Sequence, residues 1–254
     1  MRGTNVPLIL VTNDDGVRSP GLCALADALR EVGEVLIVAP DREQSAASHA
    51  LTLQRPLRLE QVAPGTWAVD GTPSDAVYLG INAVLKGRRP DLIASGINLG
   101  ANLGDDITYS GTVAAAMEGT LLGAPAFAIS MAARRDFHFE TACGFAARLA
   151  RSILAHGLPK MALLNVNVPN VPPSPEVPYR VTFQGKRRYT DAVIDRTDPR
   201  GRTYYWIGGD ELGFDAVEGS DAVTVLRDRM ISVTPVHLDL THVRLLDQIA
   251  AWSI

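Results

Sequence analysis

The chain has 254 residues, 46% of them apolar and 20% charged, with a formal net charge of −4. This composition suits one large globular domain, or a core domain with an appendage, and its acidic balance argues against a nucleic-acid-binding surface. Apolar stretches fall far short of a membrane span and no charged-then-apolar leader opens the sequence, so a soluble cytoplasmic protein is expected, with no membrane partner.

The first apolar run, Leu8 to Val11, is short and uninterrupted, which predicts a strand buried on both faces of a parallel sheet. It stops at Thr12, Asn13, Asp14, Asp15 and Gly16. Gly16 permits a sharp turn, Ser19 can cap a helix with Pro20 at its first position, and Leu22, Leu25, Ala26 and Leu29 mark that helix's buried face. Two adjacent carboxylates therefore sit at the carboxyl end of the first strand, where open α/β sheets build their sites. Like charges side by side repel, and a cation between them is one remedy. NDDG by itself leaves two readings open, a capping turn and a metal site.

Glu34 to Ala39 predicts a second buried strand, followed by the loop REQSAASHA, which brings Ser45 and His49 to the same end of the sheet. Leu51 to Leu59 and Thr66 to Val69 are read as strands of a hairpin or meander around Pro64-Gly65. Thr72 caps a helix with Val77, Ile81, Val84 and Leu85 inward. Asp91 to Ala94 is a further short strand. It leads into a long Gly- and Asn-rich connection, SGINLGANLGDDITYSGT, of a kind that is usually functional. A helix follows from about Thr112 to Leu122, its inner face marked by Val113, Met117 and Leu121. Ser110, Gly111 and Thr112 thus lie at a helix N-terminus with little bulk, where free backbone N–H groups can bind an anion. A plain Ser cap explains that triplet equally well.

Pro125 to Met131, a helix over Phe139 to His156 (Phe145, Leu149 and Ile153 inward), and Leu163 to Val168 continue the alternation. Pro172, Pro173, Pro175 and Pro178 mark a boundary. The expected organisation is a Rossmann-like α/β core over residues 1–170, a mostly parallel sheet with helices on both faces. Residues 171–254 form a C-terminal extension with strands over Tyr179 to Gln184 and Thr203 to Ile207, joined by the charged stretch GKRRYTDAVIDRTDPRGR. An acidic turn region over Gly208 to Ser220, a helical piece at Ala222 to Leu226, a strand at Ile231 to Pro235 and a closing helix over Val243 to Trp252 complete it. Cys23 and Cys143 fall on predicted helices in no ligand spacing and are expected to be buried thiols.

Three connections thus converge on one sheet end, offering Asp14 and Asp15, then Ser45, then Asn98, Asn102, Ser110 and Thr112. Oxygen-only donors favour magnesium or manganese, with calcium a further option, over zinc.

The segments ILVTNDDG, VAPDREQSAASHALT, GTPSDAVYLGIN, SGINLGANLGDDITYSGTVAAAMEG and VTPVHLDLT, in this order, resemble the stationary-phase survival protein SurE family of metal-dependent 5′/3′-nucleotidases. The resemblance implies hydrolysis of nucleoside monophosphates, with exopolyphosphatase activity as a further family property. It implies one divalent ion on Asp14, Asp15, Ser45 and Asn98, and substrate phosphate near Asn102, Ser110, Gly111 and Thr112. Asp14 is the candidate catalytic residue, a ligand that also orients or deprotonates water, although direct attack by its carboxylate stays open. Leu99 departs from the Arg or Ala that many members carry there. The resemblance further implies a homodimer or homotetramer that exchanges an extended hairpin and a helix between subunits. His237 has two readings, a histidine hydrogen-bonded to a carboxylate such as Asp239 and a general acid.

The main non-enzymatic rival is a magnesium-binding receiver domain, which needs an Asp at the end of its third strand and a Lys after its fifth. Here DLIA ends in Ser95-Gly96 and PAFAISM in Ala132-Ala133. A dehalogenase-type phosphatase needs Asp-x-Asp, and a dinucleotide module needs a Gly-rich first turn; neither is present.

Overall fold

The computed structural model describes residues 6–173, 177–189, 192–208 and 211–253. Pro175, part of the expected boundary, lies outside them, as do Thr190 and Asp191 of the charged stretch and Gly209 and Asp210 of the acidic turn region.

Alternation of apolar runs with amphipathic helices gives an open sheet flanked on both faces. The strands are β1 (Leu8–Thr12), β2 (Glu34–Pro40), β3 (Leu59–Ala63), β4 (Thr66–Val69), β5 (Leu92–Leu99), β6 (Ala126–Ala132), β7 (Ala162–Pro169), β8 (Tyr179–Val181), β9 (Arg187–Tyr189), β10 (Ala192–Thr197), β11 (Thr203–Gly208), β12 (Glu211–Phe214) and β13 (Ile231–His237). The helices are α1 (Pro20–Leu29), α2 (Pro73–Leu79, continued by a wider turn over Gly80–Val84), α3 (Gly111–Leu121), α4 (Phe139–His156) and α5 (Leu246–Ala250). The main sheet runs β3-β4-β2-β1-β5-β6-β7-β13-β8, with β4 through β7 parallel. From β1 the chain steps outward to β2, then returns to place β5 on the other side of β1. The strand order therefore reverses between β1 and β5, the crevice where such sheets bind ligands.

Successive β1 side chains point to opposite faces, so Ile9 and Val11 join one core and Leu10 the other. The first core takes Leu22, Leu25 and Leu29 of α1 with Phe145 and Ile153 of α4; the second takes Val77 of α2 and Val113 of α3. α2 begins with a full capping box, Thr72 Oγ1 accepting from the Asp75 N–H while the Asp75 carboxylate accepts from the Thr72 N–H.

Several expectations shift. Residues 51–58 are irregular, and the hairpin strand starts only at Leu59, because Asp70 and Asp75 carboxylates rather than a ladder take the N–H groups of Arg58 and Thr52. β5 runs on through Asn98 and Leu99, paired with Ser130 and Met131 after an irregularity, so the long connection starts later than its glycines suggest. Leu121, read as inward, is exposed, since the smaller Ala115, Ala116 and Gly119 let α3 sit close to the sheet on another face. Cys23 is exposed; Cys143 is half-buried, its thiol donating to the Ala24 carbonyl, and burial pushes it up to about 11. The acidic turn region contains β12, paired with β9. The closing helix is a turn over Val243–Leu245 followed by the five-residue α5.

β13 returns to pair antiparallel with β7 and parallel with β8, so part of the C-terminal extension completes the main sheet. β10 and β11 form a separate two-stranded ribbon with Tyr204, Tyr205, Trp206 and Ile207 exposed, Ile207 at 95%.

Candidate active site

The site begins where β1 ends. Asn13 Nδ2 donates to the Gly16 carbonyl at 3.1 Å and closes the turn that presents Asp14 and Asp15. Gly16 has φ of +99°, and a methyl there would lie 3.1 Å from the Arg42 backbone, so glycine lets the loop after β2 cross over the turn. That loop is stitched down by Val17 N–H to the Pro40 carbonyl (2.7 Å) and Gln44 N–H to the Asp14 carbonyl (2.8 Å). It thereby brings Ser45 beside the carboxylates.

Asp14 is buried against the first turn of α3, where the Thr112 hydroxyl donates to its Oδ1. Burial pushes its carboxyl upward, and hydrogen bonds from the Thr112 hydroxyl, its own backbone and the Thr112 N–H oppose the shift. Gly111 makes this approach possible, since a methyl there would stand 2.7 Å from Asp14 Cβ. Asp15 accepts from the Leu99 N–H at 3.2 Å. Burial first and the Asp14 charge second push it up to about 6.

The third connection supplies Asn98, whose Nδ2 donates to the Gly100 carbonyl at 2.8 Å, leaving Oδ1 as its acceptor atom. Asn102 is anchored from below: its N–H donates to Asn167 Oδ1, and its carbonyl accepts from Asn165 and Asn167 Nδ2, all at 2.8–2.9 Å. Its own Nδ2 donates to Ser130 Oγ. A tight turn over Gly104–Thr108 then leads to Ser110, whose Oγ accepts from the Val113 N–H at 3.1 Å and caps α3.

These three connections surround a cleft of about 400 Å³ lined by Asp14, Asp15, Ser45, Asn98, Asn102 and Ser110 together with Glu43, Leu99, Asp106 and Tyr109. Gly111 and Thr112 do not line it. The Thr112 hydroxyl, read from sequence as a phosphate contact, is engaged with Asp14. Glu43, Asp106 and Tyr109 were not singled out by sequence. Glu43 stands two residues before Ser45 and accepts its hydroxyl proton at 2.6 Å, a proximity the loop's composition could have signalled. His49 Nε2 sits 2.8 Å from the buried Glu118 of α3 and fastens the same loop to that helix. His237 is exposed, 3.3 Å from the Asp239 carbonyl, and pairs with Ala162 at the opposite end of β7 from the cleft. The general-acid reading of His237 has no support in that placement within one chain.

Comparison with known proteins decides the family. The family model described as survival protein SurE matches residues 9–191. The "5'-nucleotidase SurE" of Geobacter metallireducens is 54% identical over 96% of this chain and 97% of its own length, and that of Pelobacter propionicus 56% over 96% and 98%. The crystal structure of the SurE protein from Aquifex aeolicus superposes with a TM-score of 0.86 at 44% identity, covering 96% of this chain and 98% of that one. The chain belongs to the SurE family.

The donors of this SurE-family site fit a hard divalent cation. Among the described residues no group of three or more His, Cys, Asp or Glu is gathered for a metal. The candidate set is instead two adjacent carboxylates with neutral amide and hydroxyl oxygens. Burial first, and the adjacent Asp14 charge second, raise Asp15, and a cation between the two carboxylates would offset both. Leu99 lines this cleft, giving the wall an apolar branch and no added charge. No helix among the described residues is long and apolar enough to cross a membrane.

Proposed function

We propose that this chain is a divalent-metal-dependent nucleotidase that hydrolyses nucleoside 5′-monophosphates to nucleoside and inorganic phosphate. The observation that carries the reading is the pairing of Asp14 and Asp15 with the capped N-terminus of α3 across one cleft. A phosphate dianion is held by such a two-sided clamp, with positive charge on one side and hydrogen-bond donors such as the Ser110 hydroxyl on the other. Family membership and the relatives' names support the same activity.

In this proposal Asp14, Asp15, Asn98 Oδ1 and Ser45 Oγ hold one magnesium or manganese ion, which supplies charge neutralisation at the phosphoryl oxygens and a lowered pKa for water. Ser110 and Asn102, which line the cleft, orient the phosphate, with Gly111 just behind Ser110 at the start of α3. Thr112 contributes by holding the Asp14 carboxylate. Asp14 is the residue proposed to orient the attacking water or accept its proton. The proposal extends to 3′-monophosphates and short polyphosphates, because the clamp contacts only the phosphoryl group.

It also extends to assembly. The core of residues 1–170 carries the site, and the extension of residues 171–254 supplies the exposed ribbon β10–β11, whose aromatic face calls for a partner subunit in a dimer or tetramer. Phosphate release from a panel of 5′- and 3′-nucleotides, with and without magnesium or manganese, tests the activity. Absence of release from every nucleotide in the presence of metal would overturn it.

A further inference from the structure

Asp221 is fully buried, far from the reacting end of Asp14 in sequence, and takes no part in the chemistry proposed above. Its carboxylate accepts three backbone hydrogen bonds from three segments. Oδ2 accepts the Gly104 N–H at 2.9 Å, and Oδ1 accepts the Gly185 N–H at 2.8 Å and the Ala222 N–H at 2.7 Å. Gly104 belongs to the active-site connection, Gly185 to the root of the C-terminal arm, and Ala222 to the segment that leads back to β13. Burial pushes this carboxyl upward, so its charge is tolerated because those N–H groups and the nearby Arg187 face it.

The joint leaves no slack. Gly104 has φ of +55°, and a methyl on it would lie 2.9 Å from the Gly185 carbonyl oxygen; a methyl on Gly185 would lie 2.7 Å from Asp221 Oδ1. Two residues beyond Gly185, the buried Arg187 guanidinium lies 3.8 Å from Asp106, which lines the catalytic cleft. From Gly104 to Ser110 the chain is a series of tight turns. Asp106 N–H donates to the Leu103 carbonyl at 3.2 Å, and the Tyr109 and Ser110 N–H groups donate to the Asp106 carbonyl at 3.0 and 3.2 Å. A shift of Gly104 is thus passed to the Ser110 cap rather than absorbed by a flexible loop. Asp14, Asp15 and Asn98 hang on the ends of β1 and β5, whose ladders do not include this joint, whereas the Ser45 loop touches the turn through Ser48, whose N–H and hydroxyl donate to the Tyr109 and Thr108 carbonyls at 3.1 and 2.8 Å.

We infer that Asp221 is a positioning residue for the phosphate side of the site, fastening the Gly104–Ser110 turn to the root of the C-terminal arm. This inference rests on the nucleotidase reading. It makes the arm a structural part of the catalytic site within the same chain.

The test uses the full-length protein and its Asp221→Asn variant, which keeps the shape but removes the charge and turns an N–H₂ group toward one of the three N–H donors. Loss of a hydrogen bond to a charged acceptor predicts a fall of about 10- to 100-fold in kcat/KM. Inhibition by inorganic phosphate should weaken in parallel, and by a larger factor than the manganese Kd measured by calorimetry changes. Gly185→Ala is the second variant. Its backbone is not in the left-handed region, its charge is unchanged, and its methyl displaces the Asp221 carboxylate from the arm side. The same fall and the same weakened phosphate inhibition are expected. Either folded variant with parental kcat/KM and phosphate inhibition, whatever its melting temperature, overturns the inference. If Asp221→Asn does not fold, Gly185→Ala alone decides. A parent that hydrolyses no nucleotide would instead defeat the nucleotidase reading, a separate outcome.

Discussion

Replacing Gly111 by alanine sets two effects of one residue against each other. Alanine is the better helix former, by about 0.5–1 kcal/mol. The added methyl, however, would stand 2.7 Å from Asp14 Cβ, 2.9 Å from Asp14 Oδ2 and 3.1 Å from Pro73 Cγ. Overpacking of this kind costs about 1–3 kcal/mol, so the net destabilisation is roughly 0–2.5 kcal/mol. At about 2–4 °C per kcal/mol for a chain of this size, the melting temperature falls modestly. The functional effect is larger. Asp14 must move to relieve the contact, and misplacing a reacting group by about 1 Å costs on the order of 100-fold. Gly119→Ala on the same helix is the control. Its methyl would lie 2.4 Å from Ile93 Cδ1, the movable end of a core side chain away from the cleft. Phosphate release from a nucleoside 5′-monophosphate with manganese, assayed well below both melting temperatures, should show a large loss for Gly111→Ala and parental kcat/KM for Gly119→Ala. Parental activity in the folded Gly111 variant, or equal losses in both, would refute the reasoning.

Exhaustive chelation should abolish hydrolysis, manganese or magnesium should restore it, and Asp14→Asn should lose most activity while keeping its circular dichroism spectrum; full activity after chelation contradicts this. Thr112→Val removes the hydroxyl that donates to Asp14 and should lower kcat/KM by roughly 10- to 100-fold, with Thr112→Ser largely restoring it in the same steady-state assay. Ser110→Ala removes the α3 cap at a cost of about 1 kcal/mol. If Ser110 also touches phosphate, product inhibition weakens with it, and a lower melting temperature with unchanged inhibition would leave Ser110 a cap only. Tyr205→Ser combined with Trp206→Ser should reduce the mass found by sedimentation, whereas a monomeric parent at micromolar concentration would remove the basis for an exchanged arm.

The apolar runs of β1 and β2, the capped start of α2 and the full extent of α4 were legible in the sequence, because each depends on side chains within a few residues of one another. The Asp-Asp turn was legible for the same reason, since strand, acids and glycine are contiguous. Residues 51–58 were misread because their β-like composition carries no information about which carboxylates will take their N–H groups. Gly96 suggested an early end to β5, but it marks a close approach within the strand: a methyl there would lie 2.2 Å from the Ile129 carbonyl oxygen. The depth of the Thr112 hydroxyl was equally invisible, because phosphate binding and carboxylate positioning call for the same residue type at a helix start.

What the sequence determined by itself is the set of elements and the chemistry at their ends: buried strands, capped helices, and oxygen donors after β1, β2 and β5. Tertiary structure decided how those ends meet. It placed β1 between β2 and β5, so the order reverses beside the two acids. It also set α1 and α4 on one face although their crossovers step in opposite directions along the sheet, so the two connections differ in hand. It joined Thr112 to Asp14 across 98 residues, and Asp221 to Gly104 across 117. Local propensity acts through backbone torsions and near neighbours, whereas these pairings follow from which surfaces pack together once the whole sheet has formed.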